Sequence, residues 1–310
     1  MKQQLCINKK IEKMKIVVTG SLGNISKPLA EELIAKGHSV TVISSNPEKQ
    51  KDIEKLGAKA AIGAMEDVDF LTESFTGADA VYCMIPPGDY FDPDFNQIEF
   101  YKQVGNNYAE AILKSNVKKV IHLSSIGGNM NKDNGQLITH TNVENIFKSL
   151  PEEVKITTLR PTSFYYNLFG FIPAIKSQGI IASNYGEDDK CPWVSPSDIA
   201  EVVAEELEGS FSERKVRYIV SEELTCNEIA KTLGEAIGKP DLKWILISDE
   251  DMLSGALSIG FNPKIAEGLI EMHKSIHNGK LLEDYYSSKP KFGKVKLKEF
   301  AKEFAKAYNQ

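Results

Sequence analysis

The chain has 310 residues, of which 42% are hydrophobic and 26% charged, which excludes a disordered protein and allows a sizeable core. The formal net charge is −6, and no basic stripe occurs, so we expect no nucleic-acid partner. The four cysteines are far apart and form no C-x-x-C pair, which argues against a disulfide framework or a zinc knuckle.

The first 13 residues are polar and rich in lysine, and we predict that 1–13 is an N-terminal extension. This segment lacks the apolar run of a signal peptide. No stretch approaches the ~18 consecutive apolar residues that a membrane-spanning helix needs. We therefore expect a cytoplasmic protein with no membrane partner, and the sequence leaves its oligomeric state open.

From Lys15 onwards, short apolar runs alternate with amphipathic helical stretches. The first run is continuous, as expected of a parallel strand that is covered on both faces. A helix is predicted near 26–36, because Pro28 would lie in the first turn of this helix and Gly37 would follow its end. The unit then repeats, with further strands predicted at 40–43, 59–62, 80–84, 120–123 and 156–159. Six strands with helices between them predict a doubly wound parallel sheet of the Rossmann type, an α/β fold.

After Pro161 the alternation stops, and aromatic residues crowd 164–171. Thr225 and Glu228 form a capping box that predicts the start of a helix. Further helices are predicted near 198–207, 227–237, 249–257, 264–277 and 295–308, with a strand near 242–247. We therefore predict a dinucleotide-binding domain over 14–160 and a smaller, α-rich, substrate-side lobe over 161–310.

The turn after the first strand carries the strongest functional signal. Gly20 lets the chain turn sharply off the strand, and Gly23 lets the backbone approach a pyrophosphate. The following helix offers free N–H groups and the positive end of its dipole. An ordinary glycine turn is the alternative, but the position between the first strand and first helix of a βαβ series favours phosphate binding.

The end of the second strand bears on the choice of cofactor. NAD-specific sites place an acidic residue there, which holds the ribose hydroxyls and repels a 2′-phosphate. The residues here are Ser44, Ser45 and Asn46, and Lys49 follows one turn later. The absence of an acidic residue favours NADP(H) narrowly over NAD(H).

These segments together resemble the NmrA-like branch of the atypical short-chain dehydrogenase/reductases over about residues 14–280. The family binds a dinucleotide, usually NADP(H), and includes both reductases and non-catalytic redox sensors. The similar motifs are Asn46-Pro-Glu-Lys49, Gly77-Ala-Asp-Ala-Val81, Ile85-Pro86-Pro87, His122-Leu-Ser-Ser125, Thr158-Leu-Arg-Pro161, Trp193-Val194 and Ser197-Asp-Ile-Ala200.

The resemblance implies which residues contact the cofactor. The pyrophosphate would lie on the glycine turn and the adenosine 2′ group at the end of strand two. The end of strand four would line the cofactor, and the aromatic segment would lie near the nicotinamide. The implied residues are Gly20, Ser21, Leu22, Gly23, Asn24 and Ile25; Ser44, Ser45, Asn46 and Lys49; Met84, Ile85 and Pro86; and Phe164 and Asn167. Ser45 replaces a frequent arginine of the family, and Asn106 and His140 replace lysines that contact the cofactor in some members.

The sequence offers two catalytic candidates. Many short-chain dehydrogenases use a Tyr-x-x-x-Lys pair after strand five, and none occurs between Ser124 and Lys155. Ser124, at the end of the fifth strand, could hydrogen-bond a substrate carbonyl. His140 begins the next helix, and the ordinary histidine pKa of about 6.5 suits proton transfer.

Two histidines have a spacing that can bind a metal ion. His273 and His277 are four residues apart on one predicted helix. Because no third ligand is in view, we predict a solvated helix face and no metal site.

Two functions from different classes remain open. One is an oxidoreductase that uses NADPH to reduce a small, apolar carbonyl, quinone or enone. The other is a non-catalytic NADP(H)-binding redox sensor that acts through a regulatory protein partner, which the missing Tyr-x-x-x-Lys pair motivates. We favour the reductase, because hydride transfer depends more on cofactor orientation than on a particular acid. Sugar-nucleotide epimerisation is less favoured, since it usually relies on the same missing pair.

Overall fold

A computed structural model describes residues 12–209 and 211–310. Its twelve strands are β1 (Lys15–Val18), β2 (Ser39–Ser44), β3 (Lys59–Ile62), β4 (Ala80–Cys83), β5 (Lys119–Leu123), β6 (Lys155–Pro161), β7 (Ser163–Phe164), β8 (Ile180–Ser183), β9 (Lys190–Val194), β10 (Lys215–Ile219), β11 (Glu222–Thr225) and β12 (Lys243–Leu246). Most of the predicted N-terminal extension, residues 1–11, lies outside the described residues.

The sixth and eleventh α-helices of the described chain were not predicted from the sequence. The α-helices in chain order are α1 (Ser26–Ala35), α2 (Gln50–Lys55), α3 (Val68–Phe75), α4 (Gln97–Ser115), α5 (Ile138–Lys148), α6 (Ile172–Gln178), α7 (Pro196–Glu208), α8 (Cys226–Ala236), α9 (Asp249–Ser258), α10 (Pro263–His277), α11 (Glu283–Ser288) and α12 (Leu297–Tyr308). None of them combines the length and the apolar character that crossing a membrane requires.

The main sheet is parallel and has seven strands in the order β10-β6-β5-β4-β1-β2-β3. From β1 the chain adds β2 and β3 on one side of the sheet and then β4, β5 and β6 on the other side. This reversal beside β1 is typical of a doubly wound fold, so the predicted fold class is confirmed. The predicted count of six strands is wrong. The seventh strand, β10, comes from the part of the chain assigned to the substrate-side lobe, and the division near residue 160 stays a prediction.

Different helices cover the two faces of this sheet. Within β1, Ile16 and Val18 point to one face and Val17 to the other, as alternation along a strand requires. The first face packs against α1 and α7, and the second against α3, α4 and α5. Both layers are needed, because a parallel sheet is apolar on each face. In such folds the site forms at the carboxyl ends of the strands.

The remaining elements form a smaller lobe with its own apolar core. Strands β7, β9 and β11 form one short sheet, and β8 and β12 form another. Trp193 and Trp244 are among the largest fully buried side chains, and α6, α8 and α12 pack around them. Thr225 and Glu228 make the predicted capping box at the start of α8.

Arg160, at the end of β6, joins the main sheet to the lobe through a buried network. It donates two hydrogen bonds to Glu144 on α5, from Nε to Oε1 at 2.9 Å and from Nη2 to Oε2 at 2.7 Å. Its Nη1 donates to the Tyr218 hydroxyl on β10 at 3.2 Å and to Asp284 on α11 at 3.1 Å. Burial opposes ionisation of Glu144, but hydrogen bonding to Arg160 and the charge of Arg160 outweigh it and lower the pKa of Glu144.

This network predicts a pH-dependent stability. At about pH 7 we expect Glu144→Gln to lower the free energy of unfolding by about 3–5 kcal/mol, because Arg160 loses its charged partner in the interior. The folded-state pKa of Glu144 is lowered, so its contribution is present above the unfolded-state pKa of about 4.3 and disappears as the pH falls through the folded-state value. The difference between wild type and variant should therefore shrink below about pH 4.

Urea unfolding followed by circular dichroism at a series of pH values measures this difference. Glu153→Gln is the matched control, because Glu153 is exposed and lies 3.8 Å from Lys118 in a surface pair. We expect the control to lower the free energy of unfolding by at most about 1 kcal/mol. If the two variants lose the same free energy of unfolding, this result contradicts the role assigned to the buried pair of Glu144 and Arg160.

Candidate functional site

The turn between β1 and α1 has a backbone that only glycine adopts readily. Gly20 has a φ of 91°, in the region that side chains disfavour. A Cβ atom on Gly20 would lie 2.6 Å from Ser26 Oγ and 2.7 Å from Met84 Sδ. The Ser26 hydroxyl in turn donates to the Thr19 carbonyl at 2.7 Å. Gly20 therefore brings the end of β1, the start of α1 and the end of β4 into contact.

The next residues of the turn present backbone N–H groups. Gly23 and Asn24 are exposed, whereas Ile25 is buried. The N–H of Gly23 donates to the Gly20 carbonyl at 3.1 Å, and within the described chain the N–H groups of Leu22, Asn24 and Ile25 have no such partner. No side chain caps α1. Unpaired N–H groups at an uncapped helix N-terminus suit an anion.

Ser21 connects this turn to the end of β2. Its N–H donates to the Ile43 carbonyl at 2.9 Å, and its hydroxyl donates to Ser44 Oγ at 2.9 Å. The Ser44 hydroxyl is buried and also accepts from the Asn46 N–H at 3.2 Å. Ser44 therefore holds the protein backbone together at this point. A ligand would have to compete for its hydroxyl.

The residues after Ser44 are accessible. Ser45, Asn46 and Lys49 are all exposed. Asn46 Oδ1 accepts from the Glu48 N–H at 2.9 Å, so this side chain caps the following turn of 3₁₀-helix. The Lys49 ammonium lies 4.0 Å from the Asp52 carboxylate in a loose surface pair. Ser45 and Lys49 thus keep polar groups available at the end of β2.

Hydrogen bonds fix the end of β4 beside the glycine turn. The Met84 N–H donates to Thr19 Oγ1 at 2.9 Å, and the Tyr108 hydroxyl donates to the Met84 carbonyl at 2.8 Å. The Met84 and Pro86 side chains are half-buried. Ile85 is buried in the core on the α4 side of the sheet, away from Met84.

The aromatic segment after β6 reaches the same edge of the sheet. Leu22, Met84 and Phe164 all pack against the cluster of core residues on the α1 and α7 face of the sheet. The Phe164 ring stacks on the Tyr166 ring with their centroids 4.9 Å apart. Asn167 is exposed.

Ser124, at the end of β5, is buried and already engaged. Its hydroxyl donates its single proton to Glu144 Oε1 at 2.7 Å. Glu144 is held in turn by Arg160. A substrate carbonyl would have to displace this short bond to an ionised group. The structure therefore favours a structural role for Ser124 over the predicted catalytic one.

His140 lies in the first turn of α5, as predicted, but its chemistry differs from the expectation. Burial lowers the pKa of His140 to about 4, although the Glu144 charge opposes this effect. The ring is therefore uncharged at neutral pH, and the premise of an ordinary histidine pKa is wrong. The His140 ring packs edge-on against the Tyr101 ring, with the two ring centroids 5.3 Å apart. A neutral imidazole can orient a neighbour but does not deliver a proton as an imidazolium.

Sequence reasoning did not identify Tyr101 as the neighbour of His140. Tyr101 lies on α4, Tyr90 on the loop before it and Tyr166 on the segment after β7. Burial raises the pKa of Tyr101, and the nearby phenols of Tyr90 and Tyr166 raise it further. The seven-residue spacing of Tyr101 and Tyr108 places both on one buried face of α4, whereas no sequence pattern links Tyr101 to Tyr90 or Tyr166.

The histidines of α10 do not form the predicted solvated face. His273 is buried, and its Nδ1 lies 3.2 Å from Asn184 Oδ1. His277 is exposed, with its Nδ1 2.7 Å from the Asp189 carboxylate. Across residues 12–209 and 211–310, no group of three or more His, Cys, Asp or Glu side chains is placed to hold a metal ion.

Comparisons with known proteins agree with this architecture. The sequence model of the NmrA-like family matches residues 12–296. The chain is 27% identical over 258 residues, 83% of its length and 85% of the relative's, to a (4-alkanoyl-5-oxo-2,5-dihydrofuran-3-yl)methyl phosphate reductase from Streptomyces griseus.

Two solved structures are similar in fold. Triphenylmethane reductase from Citrobacter sp. gives a TM-score of 0.77 at 20% identity and covers 94% of this chain and 99% of its own. That enzyme has also been solved in complex with NADP(H). An NADPH-dependent quinone oxidoreductase from Escherichia coli gives a TM-score of 0.75 at 19% identity and covers 93% of this chain and 98% of its own.

Proposed function

Because the chain belongs to the NmrA-like family, we propose that it is an NAD(P)-binding oxidoreductase that uses NADPH to reduce a small, apolar carbonyl, quinone or enone. The observation that carries the proposal is the turn from Gly20 to Ile25, with its unpaired N–H groups at the uncapped start of α1. This arrangement suits a pyrophosphate, which needs backbone donors and the positive end of a helix dipole. A cytoplasmic location is part of the same proposal.

The residues present fit a dinucleotide along one edge of the sheet. The glycine turn would hold the pyrophosphate, and Ser45 and Lys49 would face the adenosine 2′ group. Met84 and Pro86, on one side, and Phe164, on the other, would border the nicotinamide. Bound NADPH would supply a hydride, and the chain's own part is to orient the two reactants and exclude water.

The named relatives support reduction of an extended, unsaturated acceptor. They are a furan-derived phosphate reductase, a triphenylmethane reductase and a quinone oxidoreductase. Two of them are described with NADPH or NADP(H), in agreement with the absence of an acidic residue from Ser44 to Asn46.

A non-catalytic sensor is the second candidate, and two observations favour it. The Ser124 proton is engaged by Glu144, and His140 is uncharged at neutral pH. Neither predicted catalytic side chain is therefore a ready proton donor. A sensor would bind NADP(H) and a regulatory protein partner without consuming the cofactor.

A substrate panel separates the two functions. We expect NADPH to be oxidised in the presence of at least one quinone, enone or aldehyde, which is measured as loss of the absorbance of reduced nicotinamide. If NADPH binds tightly but no member of a broad panel is reduced, the sensor becomes the better description.

The glycine turn can be tested directly. A Cβ atom on Gly23 would lie 3.1 Å from the Gly20 carbonyl oxygen, so Gly23→Val requires a shift of a few tenths of an ångström within the turn and no larger rearrangement. The added side chain would cover the exposed N–H groups, and we expect NADPH to bind about a hundredfold more weakly. Calorimetry measures the affinity, and circular dichroism checks the fold.

Gly255→Val in α9 is the control for Gly23→Val. A Cβ atom there would have no protein atom within 4 Å, so the substitution adds the same side chain away from the turn. If Gly23→Val leaves the NADPH affinity unchanged, or if both variants lose the same NADPH affinity, the pyrophosphate lies elsewhere.

Cofactor choice should depend on Lys49. We expect NADPH to bind more tightly than NADH. Lys49→Glu should lower the ratio of NADPH affinity to NADH affinity about five- to tenfold, as reversal of one exposed charge allows. Lys51→Glu makes the same charge change on a neighbouring exposed residue and should leave the ratio unaltered. Equal affinities for the two cofactors in the wild type would argue against the choice of NADPH.

A further inference from the structure

The loop that follows β4, here called the β4 loop (residues 86–96), leaves the sheet at its carboxyl edge and leads to α4. Its internal hydrogen bonds are short-range. The Asp92 N–H donates to the Asp89 carbonyl at 3.3 Å, and the Phe95 N–H donates to the Asp92 carbonyl at 3.2 Å. Bonds of this kind close turns of four residues. They do not determine where the loop lies relative to the rest of the protein.

Asn262, between α9 and α10, holds the β4 loop in place. Its backbone N–H donates to the Tyr90 carbonyl at 2.8 Å. Its side-chain amide donates to the carbonyls of Asp92, Pro93 and Phe95 at 2.9, 3.2 and 3.2 Å, and only 3% of the residue is exposed. Apart from the adjoining start of α4, no other part of the described chain hydrogen-bonds to this loop.

The same side chain also begins α10. Asn262 Oδ1 accepts from the N–H groups of Lys264 and Ile265 at 3.0 and 3.4 Å, as an N-cap does. The oxygen of one amide therefore fixes a helix, and its nitrogen fixes a loop. The preceding residue, Phe261, adds an apolar contact, since its ring lies edge-on to the Phe91 ring with the centroids 4.8 Å apart. The β4 loop thus follows the position of the α10 N-terminus.

The other half of α10 is anchored in the lobe. The buried His273 ring has its Nδ1 atom 3.2 Å from Asn184 Oδ1, just after β8. The Asn184 amide donates to the Ile270 carbonyl at 3.0 Å and to the Asp249 carboxylate at 2.9 Å. These bonds fix α10 against β8 and α9. The β4 loop therefore takes its position from the lobe and not from the main sheet.

The loop after β5 also contacts α10 but depends on it less. A Cβ atom on Gly135 would lie 1.9 Å from the Gly268 carbonyl oxygen, so the two backbones touch. However, Asn134 belongs to this loop itself and is buried. Its amide donates to the carbonyls of Gly127 and Met130 at 3.1 and 3.0 Å. The loop after β5 thus has its own internal asparagine, whereas the β4 loop relies on one supplied by the lobe.

We propose that Asn262 is a positioning residue for the hydride acceptor, because it holds the β4 loop as an ordered wall beside the nicotinamide. The inference rests on the proposed reductase function, which puts Met84 and Pro86 beside the nicotinamide ring. A hydride acceptor has to lie against that ring, and the β4 loop continues directly from Pro86. A wall that is ordered in advance lowers the entropy lost on binding. Asn262 acts through the loop and not by contact with the reactants.

The variant Asn262→Asp separates the two roles of the side chain. Aspartate caps a helix about as well as asparagine, so the oxygen that begins α10 is kept. An ionised carboxylate has no N–H to donate, so the bonds to the three loop carbonyls are lost. We expect the amide protons of residues 86–96 to exchange with deuterium at least about tenfold faster, since several neutral hydrogen bonds disappear together. Mass spectrometry of the exchanged peptides measures these rates.

Two further variants support the comparison. Asn262→Ser removes the amide without adding a charge, and serine is also a good N-cap, so its effect should match that of Asn262→Asp. Asn96→Asp is the matched control at the end of the same loop. Asn96 Oδ1 accepts from the Glu99 N–H at 3.3 Å to cap α4, but Asn96 is exposed. The same substitution there removes no buried donor, and exchange of the loop should stay as in the wild type.

Turnover of an acceptor that the wild type reduces supplies the second measurement. If the loop is ordered in about a tenth of the molecules, the apparent affinity for the acceptor falls by the same factor. We therefore expect both Asn262 variants to raise KM for the acceptor about tenfold. The kcat at saturating acceptor should change less, since bound acceptor restores the ordered loop. The NADPH affinity, measured by calorimetry, should stay within about twofold of the wild type.

The outcomes separate this proposal from the reductase function. Unchanged exchange of the β4 loop in both Asn262 variants, or faster exchange with an unchanged KM, would overturn the positioning role even if NADPH reduces the acceptor. Equal losses of NADPH affinity and acceptor affinity would also overturn it, because they indicate a general structural role. If NADPH binds and no acceptor is reduced, the reductase function fails and the acceptor role fails with it, whereas the exchange rates still decide whether Asn262 orders the loop.

Discussion

A single buried guanidinium constrains the region where the site lies. Arg160 cannot be left unpaired in the interior, because a buried charge without a partner costs several kcal/mol. Its partners come from three different elements, namely Glu144 on α5, Tyr218 on β10 and Asp284 on α11. Glu144 then takes the proton of Ser124 at the end of β5. The main sheet and the lobe must therefore meet in one relative position for these bonds to form together.

The two ends of the site are built by different means. At the cofactor end, backbone conformation matters most, since the turn depends on the positive φ of Gly20 and on exposed N–H groups beyond it. At the His140 end, side chains from separate parts of the chain converge, since the His140 ring of α5 packs against the Tyr101 ring of α4. The first end depends on a few adjacent residues, whereas the second depends on the whole tertiary structure.

This difference explains how far the sequence could be interpreted. The strands of the main sheet were predictable because burial on both faces gives continuous apolar runs, and the glycine turn was predictable because its residues are adjacent. Strand β10 was missed because Lys215 and Arg217 interrupt its apolar pattern, as the position at the sheet edge allows. The contact between Tyr101 and His140 could not be found, since these residues lie on different helices and meet only after folding.

The same limit applies to chemistry that depends on environment. The sequence predicted His140 at the start of a helix, but the pKa of about 4 results from neighbours packed around it. Ser124 likewise ends β5 as predicted, and only the tertiary structure shows that Glu144 binds its hydroxyl. The position of a residue relative to a helix or strand was therefore easier to predict than its protonation state or its hydrogen bonds.

The edge position of β10 also has a consequence for synthesis on the ribosome. The chain emerges from its N-terminus, and domains generally fold as they appear. Until residue 219 has emerged, β6 is an edge strand, and until residue 208 has emerged, α7, which covers one face of the sheet, is also incomplete. A nascent chain that has only reached residue 160 therefore exposes both a strand edge and an apolar face, which are sites of aggregation. The seven-stranded sheet is complete only when more than two thirds of the protein has been made.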